Sequence, residues 1–131
     1  MQFAVDQALP GDEIRVAGGV NTDVQTGADS SQMLHISKPI TIRRGYAPSD
    51  WSVSNPQVNP TTLDAEGQGR VFPVTGTLGV TLEGLGITGG DATDLGPYAG
   101  SDWGGDGYVH WNYWVTTISN CRIISNTAST T

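Results

Sequence analysis

Two stretches 36 residues apart carry one pattern: Val80 to Gly90 reads VTLEGLGITGG, and Thr116 to Asn126 reads TTISNCRIISN. In that alignment Leu82, Leu85 and Ile87 fall on Ile118, Cys121 and Ile123, and Thr81 falls on Thr117. A shift of 40 sets Val80-Thr81-Leu82 on Ile40-Thr41-Ile42. The spacing apolar-x-x-apolar-x-apolar suits a strand, a corner, and a second strand whose side chains re-enter the same interior. A period that drifts by a few residues is expected of stacked repeats with loop insertions of variable length. A β-sandwich is the rival architecture. It predicts longer strands, cleaner alternation and fewer sharp corners.

The remaining segments fit a coil of short strands. Apolar residues at Ala4, Val5, Ala8 and Leu9 have helical spacing, which predicts a helix over 3–9 ended by Pro10-Gly11. Ile14 and Val16 alternate as in a strand, Gly18-Gly19 turns the chain, and Asn21 to Gln32 reads as a polar loop. Short strands follow around Leu34-His35-Ile36, Ile40-Thr41-Ile42, Thr62-Leu63-Asp64, Val71 to Val74, Val80-Thr81-Leu82, Leu85-Gly86-Ile87, Thr116-Thr117-Ile118 and Cys121-Arg122-Ile123. Helical periodicity does not return after residue 9.

Composition narrows the function classes. The chain has 131 residues, enough for one domain and one modest core. Its net charge of −7 disfavours non-specific attachment to nucleic acid or to an anionic membrane, and Arg43-Arg44 is too short a basic run to change that. No apolar stretch approaches the roughly 18 residues of a membrane span. Cys121 is the one cysteine, so no internal disulfide can form. The abundant glycine, 18 residues, belongs to turns and corners. Met1 to Asp6 lacks the basic and apolar regions of a signal peptide.

At several of these residues the chain resembles the right-handed parallel β-helix repeat family, within the pectin-lyase-like superfamily. Ala4 to Gly19 (AVDQALPGDEIRVAGG) is similar to that family's opening helix, Pro-Gly-Asp turn and first strand. Leu34 to Tyr46 (LHISKPITIRRGY), with Asp50-Trp51, resembles the next coil, and Asn59 to Ala65 (NPTTLDA) resembles a recurring step. Leu82 to Gly90 and Ile118 to Asn126 resemble two late rungs. The resemblance implies an all-β fold: a right-handed parallel β-helix over 1–131, capped by a helix and turn at 1–11. Its rungs would occupy 12–131, with a long insertion at about 89–107 and an open C-terminal end. It further implies an extracellular or cell-surface bacterial protein whose signal has been removed, and a segment of a longer chain. Asn120 and Asn126 would stack and hydrogen-bond at corners, and Cys121 would be a core residue. Function does not follow, because such folds host lyases, hydrolases, adhesins and inert stalks.

Candidate chemistry gathers where the repeat breaks. Gly89 to Gly107 (GGDATDLGPYAGSDWGGDG) holds Asp91, Asp94, Asp102 and Asp106 among glycines. Carboxylates on tight turns could supply oxygens to calcium, or form a solvated acidic loop. Tyr98, Trp103, Trp111 and Trp114, with Tyr108 and Tyr113, could stack on sugar rings of a polysaccharide, or cover a rung. His110 to Trp114 departs from the family pattern and could instead meet another copy of the chain. The polygalacturonase-like Asn-Thr-Asp and Gly-Asp-Asp signatures do not occur. Asp64, Asp91 and Arg122 match the pectate-lyase-like set of calcium-binding Asp and Arg base by residue type alone. His35 should face solvent.

The expectation is therefore a structural or adhesive β-helix segment with no required cofactor. A carbohydrate-binding or polysaccharide-degrading module, or a self-associating protein, are the alternatives.

Overall fold

The computed structural model describes residues 1–26, 31–76, 79–95, 104–110 and 114–128. A six-residue helix, α1 (Gln2–Gln7), opens the chain. The helix ends two residues earlier than its spacing predicts, because Ala8 is already extended at φ −62°, ψ 143°. Val5 and Ala8 enter the core, while Ala4 and Leu9 stay outside. The predicted four-residue apolar face is therefore half realised.

The other regular elements among the described residues are short strands. β1 (Glu13–Ala17), β5 (Thr41–Tyr46), β8 (Val80–Glu83) and β11 (Thr116–Ser119) form one parallel sheet in that order. β2 (Gly19–Asn21), β6 (Thr61–Asp64), β9 (Gly86–Thr88) and β12 (Arg122–Ile123) form a second. β7 (Phe72–Thr75) and β10 (Gly107–His110) pair in a third, which Ile36 extends through a parallel bridge to Val74. The chain visits these sheets in rotation: β5, β6 and β7, then β8, β9 and β10, then β11 and β12. These three sheets are parallel and none closes into a barrel.

The pairings are the shifts read from the sequence. Ile118 opposes Leu82 and Ile123 opposes Ile87, each 36 positions on. Thr81 opposes Thr41 and Leu82 opposes Ile42, 40 positions on. Side chains of one type therefore stack on one another between neighbouring strands. Ile36, Ile42, Leu63, Val74, Leu82, Leu85 and Ile87 are wholly buried in one cluster. Each such aliphatic side chain contributes about 1.5–3 kcal/mol by leaving water.

Several expectations need correction. The polar loop at Asn21 to Gln32 contains a small antiparallel pair, β3 (Gln25–Thr26) and β4 (Ser31–Gln32), in which Gln25 opposes Gln32. Its side chains (Gln25, Thr26, Ser31 and Gln32) are all polar, so no apolar alternation announces it. Gly19 starts β2 rather than completing a turn. β10 stands where the sequence showed only the end of an insertion and an aromatic run; its Val109 is exposed, so it too lacks an inward pattern. Ile118 and Ile123, expected in the core, are both 42% exposed, since no described strand lies beyond β11 and β12. Cys121 is only partly buried, packed against the core beneath the carbonyls of Leu82 and Ser119. His35 is half-buried, with Nε2 2.7 Å from the Thr75 hydroxyl, rather than solvated.

Asn126 does its expected work. Its Nδ2 donates to the Ile87 and Ile124 carbonyls at 3.1 Å each, and its Oδ1 accepts from Gly90 N at 2.9 Å. One amide thus ties together two strand ends 36 to 39 positions apart. Asn120 occupies a corner at φ +53°, opposite Gly84 at φ +79°.

Candidate functional site

The acidic loop leaves the solid part of the fold at Gly89 and rejoins it at β10. At its start, Asp91 N donates to the Gly69 carbonyl (2.9 Å) and Ala92 N donates to the Thr127 carbonyl (3.1 Å). At its end, Val71 N and Phe72 N donate to the carbonyls of Gly105 and Asp106. The two ends touch at Gly90 and Gly105, so closely that a Cβ on either would overlap the other's carbonyl. Glycine is required here by contact, not by φ.

Within this frame one of the predicted calcium carboxylates, Asp91, is tied into its own turn. Asp91 Oδ1 accepts from Thr93 N at 2.8 Å, a local turn. Hydrogen bonds from the Thr93 hydroxyl, and then from its amide, hold the Asp91 carboxyl below its ordinary value. Asp94 is exposed at φ +58°, and Asp106 is half-buried. Among the described residues no group of three or more His, Cys, Asp or Glu side chains is placed to hold a metal. Asp102 lies outside the described residues, as do Tyr98, Trp103 and Trp111 of the proposed sugar platform. Trp114 is described and is 67% exposed.

Sequence reasoning missed Arg70. It is 4% exposed, its Nη1 donates to the Leu95 carbonyl (3.3 Å), and its guanidinium lies 5.4 Å from the Tyr108 ring centroid. Arg70 thereby joins the start of the loop to β10. The glycines around it hid this role, since Glu66 to Arg70 reads as a plain turn.

The lyase-like set of Asp64, Asp91 and Arg122 is spread over two strands and the start of the acidic loop. Asp64 and Arg122 sit on β6 and β12, with β9 between them. Asp64 Oδ1 accepts from Glu66 N at 2.9 Å and caps its own turn.

The first sheet carries a charged ladder on its outer face. Arg15 Nε contacts Glu13 at 2.9 Å, and Arg43 bridges Glu13 (2.9 Å) and Glu83 (2.8 Å) across three strands. These hydrogen bonds, Glu13 on Arg15 and Glu83 on Arg43, raise both guanidinium pKa values. Beside the ladder, Tyr46 stacks on Trp51 at 6.1 Å, and Arg15 lies over Tyr46 at 5.4 Å. Two concavities flank this region. One, of about 380 Å³, is apolar and lined by Val20, Pro48, Val58, Pro60 and Thr62. The other, of about 140 Å³, lies at Arg44, Ser54, Glu83 and Asn120.

Comparison with family models, with curated proteins and with solved structures gives no match for this chain.

Proposed function

We propose that the chain is a segment of right-handed parallel β-helix from an extracellular bacterial protein, with a structural or adhesive role. The observation that carries this reading is the rotation of successive strands through three parallel sheets at the sequence's own repeat shifts. A coil built this way presents long, regular outer faces on a rigid core, which suits spacing or surface contact. The carboxylates tied into their own turns at Asp64 and Asp91 support a non-catalytic reading. The test is incubation with acidic and neutral polysaccharides, with and without calcium, alongside retention of chain-coated beads on the same polymers. No new reducing ends or unsaturated products are expected, whether or not the beads are retained. Product formed in proportion to protein would overturn the reading.

A second reading is self-association through the last strands. It is favoured by the exposure of Trp114, Val115, Ile118, Ile123 and Ile124 along one edge of the molecule. Sedimentation equilibrium should then show a dimer that dissociates on dilution, and a monomer at every concentration would refute it.

A further inference from the structure

We infer that the small concavity beside Arg44 is a binding site for a carboxylate group. Three arginines of the first sheet are treated unequally. Arg15 and Arg43 share Glu13 and Glu83, while Arg44 forms no ion pair and no side-chain hydrogen bond among the described residues. Its Nε is buried from solvent and lacks any acceptor. A buried donor without an acceptor is unfavourable and rare in native proteins.

The fold makes room for this side chain deliberately. Arg44 stands on β5, and its side chain runs across Gly84, the corner that follows β8. A Cβ at Gly84 would lie 2.5 Å from Arg44 Nε and 2.9 Å from its Cγ. The positive φ of Gly84, +79°, and the absent side chain together open a trough toward Asn120 on the next corner. The trough widens into a concavity of about 140 Å³ lined by Arg44, Ser54, Pro56 and Asn120, with the paired Arg43 and Glu83 also on its wall. A concavity of this size admits a group as small as a carboxylate.

The chemistry selects the ligand. A guanidinium edge offers parallel N–H donors that match a planar carboxylate. The Asn120 amide adds a donor of its own. Glu83 on the rim and the overall charge of −7 disfavour a phosphate group of higher charge.

The experiment is a side-chain ¹⁵N NMR titration of the full chain with acetate, and with chloride at matched ionic strength. The Arg44 Nε–H signal is assigned by its loss in Arg44→Lys. Acetate should shift that signal and the Asn120 amide along one saturating curve, and chloride should not. Asn120→Asp, an exposed change, supplies a carboxylate from the chain itself and should weaken acetate binding roughly tenfold. Glucuronate and an N-acetylaspartate amide are titrated in parallel. Whichever saturates at lower concentration tells a sugar acid from an acidic side chain as the source. Equal shifts at Arg15, which lies outside the concavity, and at Arg44, the same response to chloride, or no saturation with any carboxylate would overturn the proposal.

Discussion

The side-chain amide of Gln2 and the backbone of His35 form a closed pair: Gln2 Nε2 donates to the His35 carbonyl at 3.2 Å, and His35 N donates to Gln2 Oε1 at 2.7 Å. The amide thus acts as a backbone surrogate that fastens α1 to the strand path beside it. Lys38 adds a second tie, its Nζ donating to the carbonyls of Val5, Asp6 and Ala8. These carbonyls belong to the end of α1, where a cation is favourably placed.

Gln2→Leu removes both bonds and leaves His35 N half-buried without its acceptor. At about 0.5–1.5 kcal/mol net per hydrogen bond, the chain should lose about 1–3 kcal/mol in urea unfolding. An unchanged midpoint and slope would mean that the helix is not docked.

The column Ile42, Leu82, Ile118 separates core from edge. Leu82 is fully buried between its two neighbours, so Leu82→Ala should cost about 2–5 kcal/mol. Ile118→Ala, in the same column but 42% exposed, should cost roughly 1 kcal/mol or less. Equal losses in denaturant unfolding would contradict the position of the core's boundary.

Asp91 gives a pH dependence with a definite sign. The Thr93 hydroxyl and amide hold its carboxyl below the ordinary value of 3.8. A depressed native pKa stabilises the fold above the unfolded-state value, and that contribution disappears as pH falls through the native value. Carboxyl ¹³C titration should place Asp91 below 3.8, and Thr93→Val, which keeps only the amide bond, should bring it part of the way back. A titration at the ordinary value in both proteins would show that the turn does not form.

What the sequence made legible follows from stacking. Parallel register places Leu82 against Ile42 and Ile118, so inward positions repeat in kind and can be aligned by eye. β10 and the β3–β4 pair escaped because their side chains do not alternate between apolar and polar and so leave no periodic trace. Leu9 was misplaced because helical spacing says which residues share a face, not where the helix stops. The relation of Arg44 to Gly84 spans 40 positions, and Gly84 alone looks like any turn glycine. Whether carboxylates in the acidic loop converge depends on turn geometry that spacing does not encode. The pairing of Asp91 with Thr93 is the part of it that the described residues resolve.

The central claim is that neighbouring strands are parallel and offset by the repeat. Interstrand nuclear Overhauser effects test it most directly. Cross-peaks between backbone protons near Ile42 and Leu82, and near Leu82 and Ile118, are expected at the spacing of parallel strands. Close Hα–Hα contacts between β5 and β6, or between β8 and β9, as antiparallel hairpins would give, would contradict the account.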